Sequence, residues 1–531
     1  MSTHRSVAKS ASVIGGLTLI SRVLGFVRDI LFATFFGTSF TADAFVVSFK
    51  LPNLFRDLVG EGAMNAAIVP VLTQTRAQEG RQEFLQLISA LFARFVVLLF
   101  IITLFGVIFA PWVVSIIAPG FLQEPSKFDL TVSLTRKMFP FIFFIGLSAY
   151  MMGILNSLHN FATSALGPIL LNLSMIFSII FLIHYAQMDV HAMVIGVLVG
   201  GVLQCLVQIP SLYKEKVVPS FVWIRHGGVH KILRLMVPRL WGTAVYQISV
   251  FVDTIFASFT WIVGPGGQSA LYYASRLFQL PLAIFGVALA QAVLPTLAIH
   301  HAQKNHTDYL SAVNFALRYV IYICLPASLG LTLFADEIVH VLFLRGEFDV
   351  YSADITSQAL YFYSLGLVSC AFIKVLVSAF YAIQDTRTPV KTATLSLVLN
   401  VTLSFILMRV LKIGGLALST TVSATCNAIL LWVLLHRKVG SMDYRGIWDA
   451  FFKSLLSASF MYGTAFLWLK PWIQRSLDDH SLKSAIVLAG SIAICALVYY
   501  GVSRLAQSHE ALQIRDMWLR PLFARRKSKS S

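Results

Sequence analysis

Apolar runs of about twenty residues recur from one end of the chain to the other, separated by short charged or Gly/Pro-containing turns. Leu98 to Ile117, Ile169 to Ile183 with its flanks, Ala393 to Met408 and Ala485 to Val502 are clear examples. A helix rises about 1.5 Å per residue, so runs of this length cross the hydrocarbon of a bilayer. The pattern predicts about fourteen helices, over 11–37, 41–75, 84–118, 129–157, 163–186, 190–212, 229–260, 268–299, 308–335, 352–382, 388–410, 413–437, 448–470 and 483–505. Several exceed what a bilayer needs, which implies tilt or extension beyond it. The ten-residue alternation of an outer-membrane barrel is absent. The expected fold class is an all-α polytopic membrane protein.

Composition agrees: 57% of residues are hydrophobic, only 12% are charged, and the mean hydropathy is +0.77. The formal net charge of +17 would point to nucleic acid in a soluble protein, but here most of the excess lies in short loops and the C-terminal tail. Arg76 and Arg81, Lys214 to Lys231, Lys304, Arg387 and Lys391, Arg437 to Arg445, and Arg515 to Lys529 fall in alternate connections. Basic loops stay in the cytoplasm, so both termini are expected there, which requires an even number of spans. The longest basic connection follows the sixth predicted helix and divides the chain into 1–212, a linker at 213–228, a second lobe at 229–437, two further helices within 438–505 and a basic tail at 506–531. Met1 to Ala11 is polar, so no cleavable leader is expected. Cys205, Cys324, Cys370, Cys426 and Cys495 are scattered through apolar segments and read as small buried hydrophobes without a disulfide or metal framework.

Charges inside the apolar runs change the picture most. Arg22, Arg28 and Asp29 lie in the first, and Asp43, Lys50, Arg56, Asp57 and Glu61 in the second. A charge at mid-membrane depth costs about 3 kcal/mol even on lenient scales, and such residues usually face a polar cavity. Arg276 is the lone cation of the eighth run. Arginine stays charged when desolvated and its fork matches phosphate oxygens, so Arg22, Arg28, Lys50, Arg56 and Arg276 are candidate ligands for an anion handled within the bilayer. Asp29, Asp43, Asp57 and Glu61 are candidate charge-pairing or gating groups. The competing reading is structural: Arg28 paired with Asp29 or Asp43 to hold the bundle, and Asp57 and Glu61 solvated at a helix end. Neither a nucleotide-binding GxxxxGK[ST] loop nor HExxH or DxD is present, so ATP-driven transport and a membrane-bound enzyme are not expected.

The ordered set SRVLGFVRD (21–29), TADAF (41–45), FKLPNLFRDLVGEGA (49–63), LNLSMI (171–176), YYASRLFQLP (272–281), GVALAQAVLP (286–295) and QDTRTPVK (384–391) resembles the MurJ/MviN family, the lipid II flippases of bacterial cell-wall synthesis. The resemblance runs over nearly the whole chain. It implies two six-helix lobes around a central cationic cavity, two extra helices that accommodate a lipid tail, and a location in the bacterial cytoplasmic membrane. The implied substrate is lipid II, an undecaprenyl-pyrophosphate carrying a disaccharide-pentapeptide, and proteins of peptidoglycan synthesis are implied partners. Many relatives carry a carboxylate at the position of Gln279, and some at Ser275, so an arginine–carboxylate pair beside Arg276 is not expected here. No cofactor is implied beyond a sodium ion, for which family members use an Asp, an Asn and a Thr. The matching positions are Asp253, Asn400 and Thr420, with Ser404 where a second carboxylate would stand. Such an oxygen-only set suits a hard cation, and an ion pair of Asp253 with Lys374 is the competing reading.

Overall fold

A computed structural model describes residues 2–56, 65–440, 442–476, 482–513 and 516, and every regular element among them is helical. Among the described residues eight helices are long and apolar enough to cross a membrane, or nine if the bent pair Val350–Leu365 and Leu367–Ala382 counts as one span. Helix covers the described parts of all the predicted stretches, several of them in pieces. The stretch 84–118, for example, becomes Gly80–Ile108 and Ala110–Ile117. Proline sets some of these joints: Pro111, Pro125 and Pro140 each stand in the first turn of a new helix, where a missing N–H costs nothing.

By internal packing the chain forms two compact units, Met1–Ser269 and Ala270–Ser531. In the first, Phe84, Leu87, Ile88 and Leu91 of Gly80–Ile108 pack with Tyr150, Ile154 and Leu155 of Pro140–Ser157. The buried Tyr150 hydroxyl donates to the Ile88 carbonyl at 2.7 Å, as a phenol in an apolar core must. Helix Gly227–Ala257 adds Val229, Ile232 and Met236 to this core, so it packs with the first unit although it follows the basic linker. Helices Gly167–Phe177 and His191–Leu206 come close through small residues: Ser174 donates to the Gly196 carbonyl at 2.8 Å and Ser178 to that of Ala192. Small residues and internal hydrogen bonds supply the attraction that lipid-facing apolar surface cannot.

In the second unit, His306–Leu333 packs against Leu367–Ala382 and Tyr444–Thr464. Tyr309 donates to the Ala379 carbonyl at 2.8 Å, and Tyr499 of Leu482–Leu505 to that of Tyr322 at 2.7 Å. The predicted spans 388–410 and 413–437 form one helical stretch, Arg387–Val439, broken at Lys412 by φ 50° and ψ −125°. The chain turns so tightly there that a Cβ on Gly415 would lie 2.3 Å from the Leu407 carbonyl oxygen. At the other end of this stretch, Asp385 accepts from the Thr388 N–H and the Lys438 ammonium, closing the turn before Arg387. Burial alone would raise the Asp385 carboxyl. The bonds from Lys438 and Thr388 outweigh it and hold the group at about 2.

Two outcomes follow from these turns. Gly415→Ala is expected to cost about 1–3 kcal/mol through forced displacement of backbone, read as a lowered unfolding temperature in detergent. The Asp385 contribution is present in full above its unfolded value near 3.8 and is lost as pH falls through about 2. The stability gap between wild type and Asp385→Asn should therefore be constant from pH 7 to about 5 and close below pH 4.

Candidate functional site

The polar groups of the first unit gather in two clusters. The first is built on helix Ser2–Phe36. Arg28 and Asp29 are both buried, and the guanidinium donates through Nε and Nη2 to Asp29 Oδ1 at 3.0 and 2.7 Å. Its Nη1 donates to Asn172 Oδ1 at 3.0 Å, and Asn172 Nδ2 donates in turn to the Ser21 carbonyl at 2.9 Å. Gly25 faces this contact, and a Cβ there would stand 3.4 Å from Asn172 Nδ2, an ordinary van der Waals distance. The helix runs through Gly25 as one element. Arg22, one turn and a half away, is exposed.

The second cluster centres on Asp43, which is fully buried in the first turn of Phe40–Phe55. One carboxylate oxygen accepts from Lys127 Nζ at 2.8 Å. The other accepts from the backbone N–H of Ser269 at 2.9 Å and from its hydroxyl at 2.7 Å. Asp43 thus faces the N-terminal ends of two helices, its own and Gly267–Pro281, where unsatisfied N–H groups and the dipole favour an anion. Lys127 stands near the N-terminus of Pro125–Met138 with 2% of its surface exposed. Both desolvation and that helix's dipole disfavour an ammonium there. Asp43, the Phe121 ring at 4.4 Å and Glu124 at 3.9 Å offset the cost.

Lys50 lies two turns along from Asp43 and is half-buried. Its Nζ donates to Thr254 Oγ1 at 2.9 Å and to Gln268 Oε1 at 3.0 Å, while Gln268 Nε2 donates to the Thr254 carbonyl at 2.5 Å. Asp253 and Asp43 are the acidic charges that act on it, yet among the described residues no carboxylate forms a direct ion pair with it. Arg56 follows the end of the same helix beyond Pro52 and is half-buried. Asp57 and Glu61 lie outside the described residues.

The remaining expected positions divide between the units. Asp253 belongs to the first. Arg276, Asn400, Ser404 and Thr420 belong to the second. The Arg276 guanidinium lies 4.9 Å from the Tyr272 ring centre. Asn400 Nδ2 donates to Thr420 Oγ1 at 3.2 Å and its Oδ1 is buried, whereas Ser404 shares a hydrogen bond of 2.6 Å with Ser419. Within the second unit the oxygen set therefore brings Asn400 and Thr420 together and commits Ser404 to Ser419.

Sequence reasoning passed over Lys127, Asn172, Gln268 and Ser269. Lys127 falls in a short connection between predicted spans, where a lysine reads as solvated. A lone Asn inside an apolar run was the signal for Asn172; nothing local marks Gln268 or Ser269.

An all-helical chain of bilayer-length spans, with ion pairs and an ammonium held inside them, defines a multi-pass membrane transport protein. A family profile described as "Lipid II flippase MurJ" matches residues 32–488. The Lipid II flippase MurJ of Burkholderia cenocepacia is 34% identical over 497 residues, covering 92% of this chain and 95% of that protein. The solved structure of "Lipid II flippase MurJ, inward closed conformation" superposes with a TM-score of 0.77 at 25% identity, over 96% of this chain and 99% of the other. An inward-facing multidrug resistance MATE family transporter of the MOP superfamily shares the fold, with a TM-score of 0.68 at 16% identity over 79% of this chain and 94% of that one. The chain belongs to the MurJ family, and with it to the multi-pass proteins of the bacterial inner membrane.

Removing the anion from the second cluster strands the buried ammonium. Asp43→Asn is expected to cost about 3–5 kcal/mol, and the double change Asp43→Asn with Lys127→Met to recover most of it. Denaturant unfolding of the three proteins in one detergent measures both. Equal destabilisation of the single and double variants would show that Asp43 acts through Ser269 and not through Lys127.

Proposed function

We propose that this chain is a lipid II flippase that moves the undecaprenyl-pyrophosphate-linked precursor from the inner to the outer leaflet of the cytoplasmic membrane. The headgroup is large, polar and anionic, so it does not cross hydrocarbon unaided. Family membership supports the reading, and the observation that carries it is Lys50. Its ammonium is held inside an apolar helix by two neutral oxygens. A pyrophosphate oxygen displaces neutral partners without breaking an ion pair, and gains a charge-assisted hydrogen bond. Arg28 is differently placed, since its three guanidinium nitrogens already meet Asp29 and Asn172. It engages the substrate only by exchanging Asp29 for phosphate. Arg22, Arg56 and, in the second unit, Arg276 are the further cations proposed to meet the anion during the cycle.

Alternating access in this reading is movement of one lobe against the other, with helix Gly227–Ala257 carried by the first, and with both termini in the cytoplasm as the basic loops suggest. The interior-negative potential favours outward movement of an anion by about 2.3 kcal/mol per charge per 100 mV. A cation gradient is a second source, with the buried Asn400 Oδ1 the second unit's candidate oxygen for sodium.

Translocation of labelled lipid II in reconstituted vesicles tests the assignment. Lys50→Gln is expected to lower the rate about tenfold or more, the value of one charge-assisted hydrogen bond, with unchanged unfolding temperature. An unaltered rate would remove Lys50 from the site. Collapsing the potential at constant sodium gradient should slow wild-type transport. Preference for another polyprenyl-pyrophosphate glycan in the same vesicles would reassign the substrate.

A further inference from the structure

Arg94 is an arginine within a bilayer-length helix that the transport reading leaves unused. It stands at the threshold of a long uncharged run, which continues from Phe95 to Gln123. Trp112, 71% exposed, lies in helix Ala110–Ile117 beyond the joint at Phe109, about as many residues on as a helix needs to cross the hydrocarbon core. Arg94 therefore marks one membrane–water boundary and Trp112 the other, where indole rings concentrate.

The basic connection after the sixth predicted span folds back onto this boundary. Ser220 donates through its N–H and its hydroxyl to Ser89 Oγ at 3.2 and 3.1 Å. Phe221 meets the edge of Phe92, and the Trp223 ring lies 5.1 Å from the Arg94 guanidinium carbon. The chain then returns along the helix, and His226 reaches Glu83 at 3.3 Å. Ile224 packs into the core of the first unit, while Phe221, Val222 and Trp223 are 61%, 41% and 63% exposed. Three consecutive large apolar side chains facing outward would be costly in open water. At the edge of the hydrocarbon they are at home.

The charges beside them are positive. Arg94 returns one nitrogen to the Ala90 carbonyl at 2.7 Å, and among the described residues no carboxylate forms an ion pair with it. Arg225 is exposed two residues beyond Trp223. An indole face stacked on a guanidinium leaves the edge of the fork directed to a further acceptor.

We infer that the 219–225 segment is seated in the headgroup layer of the bilayer, where Arg94, Trp223 and Arg225 hold the phosphate of an anionic phospholipid. The connection expected from sequence to be a cytoplasmic linker is on this reading a membrane-surface anchor for the first unit. The occupant is a bilayer phospholipid, argued from the exposed apolar triplet, the unneutralised arginine and the position of the uncharged run. It requires no substrate of the transporter, so it stands or falls apart from the flippase assignment.

Bromolipid quenching of tryptophan fluorescence tests it on the full chain in vesicles. The Trp223 contribution is the difference between wild type and Trp223→Phe. Phosphatidylglycerol brominated high on its acyl chains should quench that contribution when mixed at low fraction into phosphatidylcholine. It should do so at a roughly fivefold lower mole fraction than brominated phosphatidylcholine, the preference expected of one basic residue beside an anionic lipid. Arg94→Gln should reduce the preference while quenching persists. A nitroxide at Val222→Cys gives an independent depth: more accessible to oxygen than to a water-soluble nickel reagent if the segment is seated. An unquenched Trp223 with a water-exposed nitroxide would overturn the placement, and equal quenching by both lipids would overturn the phosphate contact.

Discussion

A charge buried in a helical bundle within hydrocarbon has no water to fall back on, so it persists only where the protein supplies a counter-charge or hydrogen-bond partners in place of water. Asp43 is where this constraint is met most fully. Its carboxylate faces Lys127, the Ser269 hydroxyl and the Ser269 N–H at once. Three elements, Phe40–Phe55, Pro125–Met138 and the start of Gly267–Pro281, are thereby tied through a single side chain. Replacing such a group by an apolar one of like size is often no loss to stability. A buried salt bridge at this junction therefore makes better sense as a device that fixes one arrangement of helices than as a source of folding energy.

Lys50 shows the complementary use of the same physics. Two turns from Asp43, it is met by a threonine hydroxyl and a glutamine carbonyl and not by a carboxylate. Lys127 is thus neutralised and Lys50 only solvated. A transporter of anions needs both kinds, a fixed pair to keep the bundle in register and a loosely satisfied charge for the passing substrate to claim. Arg28 belongs with the fixed kind in this conformation, because Asp29 and Asn172 occupy its fork.

The helical layout was legible because hydrocarbon imposes one rule on every span: its backbone must bond internally and its side chains must be apolar. Even the break inside Arg387–Val439 could be read from Lys412-Ile413-Gly414-Gly415, where charge and glycine interrupt the run. Anomalous charges were equally visible, and Arg28, Asp29, Asp43 and Lys50 all prove to be buried or half-buried. Their partners were not. Lys127 and Asp43 are separated by 84 positions and Ser269 and Asp43 by 226, and no local spacing encodes a contact of that range. Lys127 was passed over for that reason.

By itself the sequence determined that this is a polytopic helical membrane protein, which family it belongs to, and which charges stand at hydrocarbon depth. The first and the last follow from composition and periodicity, properties that each segment carries alone, and the family from the ordered set of motifs. Only the tertiary structure decided which cations are neutralised and which are free of an ion pair, that Gly227–Ala257 packs with the first unit, and that the 219–225 segment lies along Gly80–Ile108. Pairing of charges and docking of segments depend on distances across the fold. A Coulomb or hydrogen-bond energy at 3 Å vanishes into solvent screening a few ångströms further away.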